Sequence, residues 1–286
     1  MSKALIVGCG DLGGTVAVQL ARLGIETIGV KRNVGTLDGV SLISADVTQP
    51  TSLDQLKQIQ PDVLIYCIAA NGQTDEQYKA QYVDGLCNVL ATQKENSQLK
   101  HVFFVSSTRV YGQSTDEFLD ENTVAMPADF GGERLLEAES LLKTLSCKST
   151  VLRLSGIYGP GRLRMIRLAK SPDSWPAQNS WTNRIHKDDA AAFLVFLVQQ
   201  VLAGHAVKPC YVVTDSKPSS QYEVLEWIAN KLHAERPAHV PVIEGGKRLS
   251  NQAMLATGFK LDYPDFKVGY QALLDNQQDE FEAGVA

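Results

Sequence analysis

The sequence predicts an α/β fold, a doubly wound parallel sheet with a smaller C-terminal lobe, on two observations. Short apolar, largely β-branched runs alternate with helical patterns as far as Leu154. Most of these runs are apolar throughout, which is typical of parallel strands covered on both faces. Beyond Leu154 the alternation loosens and Gly and Pro cluster, which indicates a lobe built from insertions. A chain of 286 residues has room for one large domain or two closely joined ones.

The elements follow in order along the first part of the chain. The predicted strands are Ala4–Gly8, Thr27–Val30, Ser41–Ser44, Asp62–Cys67, His101–Ser106 and Thr150–Leu154. The predicted helices are Leu12–Leu23, Ser52–Gln58, Asp75–Glu95 and Phe130–Leu145. The first helix carries Val16 and Leu20 on one face and ends before Gly24, which suits the C′ position. Asp129 is expected to cap the last of these helices. Strand–helix alternation at this spacing favours right-handed βαβ units.

The last third of the chain has fewer elements with a clear pattern. We predict helices Asp188–Leu202, Tyr222–His233 and Asp265–Leu274, and a strand Cys210–Val213. The acidic end, Asp275–Ala286, is expected to be frayed.

Composition excludes several classes of protein. No apolar run approaches the roughly 18 residues of a membrane-spanning helix, so we expect no membrane partner. The net charge of −5 comes without a basic cluster, so we expect no nucleic-acid partner. The five cysteines are far apart and form no C-x-x-C, which favours a reducing cytoplasm over a disulfide framework. No cluster of His, Asp and Glu has metal-ligand spacing, so no metal is predicted.

The first strand is followed by Gly8-Cys9-Gly10-Asp11-Leu12-Gly13, a G-x-G-x-x-G motif that opens the first helix. In this context the glycines allow a tight turn, close approach of the backbone to a diphosphate and close helix–strand packing. The helix N-terminus supplies amide donors to the phosphates. We therefore predict a Rossmann-type dinucleotide site at Gly8, Gly10, Asp11, Leu12 and Gly13, with the Asp11 carboxylate pointing away or capping the helix. The alternative is a tight turn that binds nothing.

The end of the second strand indicates which nicotinamide nucleotide binds. An acidic residue there would bind the ribose hydroxyl of NAD, but this strand ends in Lys31 and Arg32. Two cations favour the extra phosphate of NADP over NAD, unless they are only solvated surface charges. Two further groups of residues are predicted to contact the adenine and to line the cofactor, each with a core or loop role as the alternative. They are Asp46 and Val47 after the third strand, and Ile68, Ala69 and Ala70 after the fourth.

Several segments together resemble the extended short-chain dehydrogenases/reductases, the NAD-dependent epimerase/dehydratase group. The matching segments, in the family's order, are 8–14, 62–70, 82–90, 106–112 (S-S-T-R-V-Y-G), 151–161 (V-L-R-L-S-G-I-Y-G-P-G) and 183–190 (N-R-I-H-K-D-D-A). They cover about residues 1–190. The short G-x-G-x-x-G is more similar to the atypical, YeeZ-like branch.

The resemblance implies roles for particular residues and also a departure from the family. Ser107 matches the catalytic Ser/Thr that hydrogen-bonds the reacting oxygen, and the adjacent Ser106 is expected to contact the cofactor. The family's Tyr-x-x-x-Lys is replaced by Phe130-x-x-x-Arg134. Phe130 has no ionisable proton, whereas Arg134 could hold a ribose or a phosphate. No tyrosine lies between Gly112 and Lys148, so the proton donor stays unassigned among Glu133, water and a substrate hydroxyl.

Candidate substrate residues lie after the strands and in the last matching segment. They are Tyr111, Tyr158, Asn183 and Arg184, and packing or structural ion pairing is the alternative for them. The predicted division is a nucleotide-binding domain at 1–155, with 183–205 packing back on it, and a substrate lobe at 156–182 and 206–286. The function implied is an NAD(P)-dependent oxidoreductase or epimerase acting on a small sugar or nucleotide-sugar substrate. The alternative is a catalytically inactive NADP-binding redox sensor. Either is expected as a monomer or homodimer.

Overall fold

The computed structural model describes residues 2–283, with side chains as far as Asn276. The chain forms two compact units. The first comprises the stretch ending at Gly112, Val124–Leu154 and Ala191–Tyr211. The second comprises Gln113–Thr123, Ser155–Ala190 and the stretch that begins at Val212.

The strands follow the α/β pattern that the sequence predicts. They are β1 Lys3–Val7, β2 Glu26–Lys31, β3 Ser41–Ser44, β4 Val63–Tyr66, β5 His101–Ser107, β6 Phe118–Leu119, β7 Lys148–Leu154, β8 Gly156–Tyr158, β9 Asn179–Thr182, β10 Arg184–His186, β11 Cys210–Val213, β12 Ser219–Ser220, β13 Ile243–Gly246 and β14 Arg248–Leu249. Seven strands form one sheet in the order β11-β7-β5-β4-β1-β2-β3. β1 pairs in parallel with β2 and β4, so that Leu5 is in register with Ile28 and Leu64.

The helices pack against these strands. They are α1 Asp11–Arg22, α2 Asp75–Tyr78, α3 Gly85–Thr92, α4 Phe130–Leu141, α5 Arg164–Ala169, α6 Lys187–Leu202, α7 Gln221–Lys231, α8 Gln252–Leu255 and α9 Phe266–Ala283. Four 3-10 segments accompany them at Pro50–Gln58, Thr108–Val110, Leu142–Thr144 and Pro172–Ser174. A π-helical segment, Lys79–Asp84, lies between α2 and α3. The central strands are fully buried at Ala4–Val7 and Val63–Tyr66, which explains their continuous apolar runs. The predicted fold class, a Rossmann-type α/β sheet, is confirmed.

Two expectations about helices are corrected. The predicted helix from Asp75 is not one regular α-helix, because the π-helical turn interrupts it. The expectation of a frayed end is wrong as far as Ala283, where α9 ends, and the remaining residues 284–286 lie outside the described part. Phe266, Tyr270 and Leu274 are buried on this helix. Their packing nucleates a helix that the polar residues after them extend.

The second unit has its own core and small sheets. Its apolar cluster includes Tyr158, Trp175, Tyr222, Phe266 and Tyr270. The sheets are β8 with β10, β12-β9-β13, and β6 with β14. Their strands are two to four residues long, too short for periodicity in the sequence to predict them.

In the range 2–283, no helix combines the length and the apolar character that crossing a membrane requires. The same residues contain no group of three or more His, Cys, Asp or Glu arranged to hold a metal ion.

Candidate cofactor and active site

The turn between β1 and α1 is built as a tight glycine cradle. Gly8 has φ +103°, a conformation that L side chains rarely adopt, and a Cβ there would overlap the Cys67 carbonyl oxygen. The amide nitrogens of Gly8 and Cys9 both donate to the Val30 carbonyl oxygen, at 2.9 and 3.0 Å. A Cβ on Gly13 would overlap the Gly8 carbonyl oxygen. Two of the three motif glycines are therefore required by close backbone packing.

Gly10 differs from the other two glycines. Its backbone is at φ −82°, and apart from its two chain neighbours no described residue has an atom within 4 Å of where its Cβ would be. It is the N-cap residue of α1, and as a glycine it has no side chain with which to cap that helix. An open space therefore adjoins the amide groups at a helix N-terminus, which is the geometry that a diphosphate requires. The next two residues differ in burial, since Asp11 is exposed and Leu12 is 6% exposed.

The two cations at the end of β2 lie at the surface of the first unit. Arg32 is exposed and its Nη2 donates to Asn71 Oδ1 at 2.8 Å, so its side chain reaches the loop that follows β4. Lys31 is half-buried, and its carbonyl oxygen accepts from Ala45 N. The carboxyl ends of β2, β3 and β4 thus meet at one edge of the sheet.

The other predicted cofactor residues differ in how open they are. Asp46 folds back on its own turn, because its Oδ1 accepts from Thr48 N and Thr48 Oγ1 at 2.9 and 2.8 Å. Val47 is 3% exposed and its carbonyl oxygen accepts from Asn88 Nδ2. Of the predicted lining residues after β4, Ala69 is exposed, whereas Ile68 and Ala70 are half-buried.

The two serines at the end of β5 have different partners. Ser107 Oγ accepts from Arg109 N at 3.2 Å, which leaves its own O–H to donate elsewhere. Ser106 is 4% exposed and donates to Glu139 Oε1 at 2.7 Å. Glu139 is also in a buried bidentate ion pair with Arg153. Ser106 is therefore part of a buried network, whereas Ser107 is half-buried at the end of the strand.

Tyr111 joins the same network rather than an open surface. It is fully buried, and its hydroxyl oxygen accepts from Arg153 Nη1 at 2.7 Å. The Arg153 guanidinium also lies 5.0 Å from the centre of the Tyr111 ring. The structure thus places Tyr111 in the core of the first unit, behind the end of β5.

Phe130 begins α4, and a phenol from another helix lies beside it. Tyr78, the last residue of α2, meets the Phe130 ring edge-on at 5.5 Å and 87°. Arg109 Nη1 donates to Tyr78 Oη at 2.7 Å, and Arg109 Nε donates to both Asp129 carboxylate oxygens at 2.9 and 3.0 Å. Asp129 Oδ1 also accepts from Gly132 N, so the prediction that it caps α4 is confirmed.

Arg134, at the position of the family's lysine, makes two ion pairs. Its Nε and Nη2 donate to the two Asp75 carboxylate oxygens at 2.7 and 2.8 Å, and its Nη1 donates to Glu137 Oε2 at 2.7 Å. The hydrogen bond from Arg134, with its charge, lowers the pKa of the Asp75 carboxyl. Arg134 therefore joins α2 to α4. Glu133, the sequence's candidate proton donor, is exposed.

The remaining predicted substrate residues belong to the second unit. Asn183 holds two backbone groups, since its Nδ2 donates to Lys247 O and its Oδ1 accepts from Leu249 N. Tyr158 is 4% exposed and stacks on Tyr270 at 4.6 Å. Arg184 is 6% exposed and donates to Thr182 Oγ1 at 2.5 Å. Within the described residues, neither Tyr158 Oη nor Arg184 Nη1 has a hydrogen-bond partner.

Sequence reasoning did not identify Tyr78 and Arg109. Tyr78 is distant from Phe130 in the sequence, and only packing between α2 and α4 brings the two rings together. Arg109 did carry a signal, because a basic residue directly follows the Ser107-Thr108 pair in a matched motif.

Comparisons with known proteins identify the family of the chain. The family model "NAD dependent epimerase/dehydratase family" matches residues 4–209. A structure from Methylobacillus flagellatus, assigned to the NAD-dependent epimerases/dehydratases, is 47% identical, covers 97% of this chain and 99% of its own, and has a TM-score of 0.89. No match was found among the curated proteins.

More distant structures share the fold. A UDP-glucose 4-epimerase is 19% identical over 94% of this chain and 95% of its own, with a TM-score of 0.76. The Bordetella bronchiseptica enzyme WbmG, solved with NAD and UDP, is 18% identical over 95% of this chain and 93% of its own, with a TM-score of 0.78. On the family match and the 47% identity, the chain belongs to the NAD-dependent epimerase/dehydratase family.

Proposed function

We propose that the protein is an NADP-dependent oxidoreductase of the epimerase type that acts on a small sugar or nucleotide-sugar substrate. The open space at Gly10, beside the amides at the start of α1, carries the nucleotide part of this proposal. Two structural neighbours, a UDP-glucose 4-epimerase and the enzyme WbmG solved with NAD and UDP, support a nucleotide-sugar substrate. In this proposal the first unit binds the cofactor. Of the residues that the sequence predicts to contact the substrate, Tyr158 and Arg184 are buried in the second unit, and Asn183 is bonded to two backbone groups there.

The residues present fit a nicotinamide nucleotide. The diphosphate would be held at Gly8–Gly13, the adenine end would lie against Asp46 and Val47, and Ile68–Ala70 would line the rest. When bound, this group accepts or donates a hydride. Ser107, whose hydroxyl proton is not used by Arg109, would donate a hydrogen bond to the reacting substrate oxygen.

A second candidate function follows from Phe130 and Arg134. Phe130 has no proton to exchange, and Arg134 is engaged by Asp75 and Glu137. Both observations favour an NADP-binding sensor that has lost its chemistry. Hydride transfer to or from NADP with sugar nucleotides separates the two candidates: the enzyme transfers hydride, and the sensor binds the nucleotide only.

The preference for NADP over NAD is tested by removing the two cations. NADPH should raise the melting temperature more than NADH, because a ligand that binds the folded state stabilises it by mass action. The double variant Lys31→Ala, Arg32→Ala should lose that difference, since the cations would contact the extra phosphate, and should keep its response to NADH. Arg22→Ala, which removes an exposed cation at the other end of α1, is the control. A larger shift with NADH in the unmodified protein would show the assignment to be wrong.

A further inference from the structure

We propose that Tyr78 exchanges the proton with the substrate oxygen, with Arg109 as its cationic partner. The two residues would take the place of the tyrosine and lysine that Phe130 and Arg134 replace. This inference rests on the proposed function as an oxidoreductase.

Tyr78 places a phenol beside Phe130. Its ring lies edge-on to Phe130, so a phenol is present beside the position where the resemblance expects one, although it comes from α2 instead of α4. Tyr78 is 7% exposed, and the ring of the neighbouring Tyr82 lies 5.2 Å from its own. Burial, with the nearby phenol of Tyr78, raises the pKa of Tyr82 to about 12.

The Tyr78 hydroxyl both accepts and donates a hydrogen bond. Its oxygen accepts from Arg109 Nη1 at 2.7 Å, and it donates to Gln73 Oε1 at 3.3 Å. A cationic donor on a phenol oxygen stabilises negative charge there, which is what proton exchange requires. The guanidinium is held in place because Asp129 accepts two hydrogen bonds from its Nε. The hydroxyl therefore has a fixed cation on one side and a neutral acceptor on the other.

Arg109 also connects this phenol to Ser107. The backbone nitrogen of Arg109 donates to Ser107 Oγ at 3.2 Å, within the 3-10 turn Thr108–Val110. Ser107 would hold the substrate oxygen, and Arg109 supplies the cation that contacts the Tyr78 hydroxyl. Both residues therefore belong to one turn of the chain.

Arg134 acts here as a positioning residue. Its bidentate ion pair with Asp75 fixes the start of α2 to α4, three residues before Tyr78. The π-helical segment Lys79–Asp84 begins directly after Tyr78. Single-turn π-helical insertions are frequent at functional sites. The ion pair and the π-helical turn together fix where the phenol lies.

In the oxidising direction, the Tyr78 hydroxyl first loses its proton to solvent, and the phenolate oxygen accepts from Arg109 Nη1. The substrate O–H bond then breaks, and its proton passes to the phenolate oxygen of Tyr78. The substrate C–H bond breaks, its electron pair leaves as hydride to an oxidised nicotinamide nucleotide, and the carbonyl double bond forms. In the reducing direction Tyr78 returns the proton.

The test uses the full chain with NADP and UDP-glucose as the probe. Tyr78→Phe should lower hydride transfer by about a hundredfold or more, the usual scale for loss of a general acid–base group. NADPH binding, measured by its fluorescence, should be unchanged. Tyr82→Phe removes the same atom from the neighbouring ring and should retain transfer. Arg109→Gln should lower transfer, and Arg109→Lys should restore part of it.

A spectroscopic measurement tests the contact without turnover. The protein is labelled with tyrosine that carries ¹³C at Cζ. The NMR signal that is absent from the spectrum of Tyr78→Phe is assigned to Tyr78. Arg109→Gln should change the chemical shift of that signal, because a hydrogen bond to the phenol oxygen is lost. An unmoved signal, or full transfer in a Tyr78→Phe protein that still binds NADPH, overturns the inference and leaves the proposed function standing. A wild-type protein that binds NADPH and transfers no hydride overturns the proposed function and the inference with it.

Discussion

Gly10→Ala is expected to abolish nucleotide binding and leave the fold intact. Gly10 has a negative φ, and apart from its two chain neighbours no described residue has an atom within 4 Å of the added methyl group. The melting temperature without ligand should therefore not change. The methyl group would occupy the space proposed for the diphosphate. We expect the Kd for NADPH, measured by calorimetric titration, to rise at least about a hundredfold, or ~2.7 kcal/mol.

Two other glycines serve as comparisons for this result. Gly35 is the other glycine of the described chain with open space around its Cβ position and no positive φ, and Gly35→Ala should bind NADPH normally. Gly13→Ala should lose stability as well as binding, because its Cβ would overlap the Gly8 carbonyl oxygen, which is backbone and cannot move aside cheaply. If Gly10→Ala binds NADPH as tightly as the wild type, the diphosphate does not lie at this turn.

Asp215→Asn is expected to stabilise the protein at alkaline pH and to have little effect at acidic pH. Asp215 is 1% exposed, and its Oδ2 has no hydrogen-bond partner among the described residues. Burial raises the pKa of Asp215 from 3.8 to about 7, although the Arg184 charge opposes the shift. The folded state therefore favours the protonated carboxyl more than the unfolded chain does.

Protonation of Asp215 is coupled to folding, and this coupling sets the direction in which stability changes with pH. Because the folded pKa lies above the unfolded one, stability is fully present below about pH 4 and falls as pH rises toward and through 7. A shift of this size corresponds to roughly 4 kcal/mol. Lys217 N donates a hydrogen bond to Asp215 Oδ1, and an asparagine side chain keeps an oxygen that can accept it. Asparagine, however, cannot ionise. The variant's advantage in the free energy of unfolding should therefore grow between about pH 4 and 7 and change little above that.

Denaturant unfolding of both proteins across this pH range measures the difference. Asp116→Asn, which neutralises an exposed carboxylate of the same unit, should leave the difference between variant and wild type constant with pH. A wild type and an Asp215→Asn variant whose stabilities stay parallel across the range would show that Asp215 is ionised in the folded protein throughout.

Patterns within single segments were sufficient to predict most of the first unit. The apolar runs that became β1, β4 and β5 are buried on both faces, so their composition alone identifies parallel strands. The glycine motif predicted the turn before α1, and Asp129 predicted the start of α4. The YeeZ-like branch and the choice of NADP stay predictions.

By itself, the sequence determined the fold class, the family and the position of the glycine cradle, because each depends on residues adjacent along the chain. Only the tertiary structure showed that Tyr78 lies against Phe130, that Arg109 donates to its hydroxyl and that Arg134 pairs with Asp75. These side chains come from segments far apart in the sequence, and no local periodicity records which of them will meet. Helix packing decides those contacts, since it depends on how whole faces of α2 and α4 fit together.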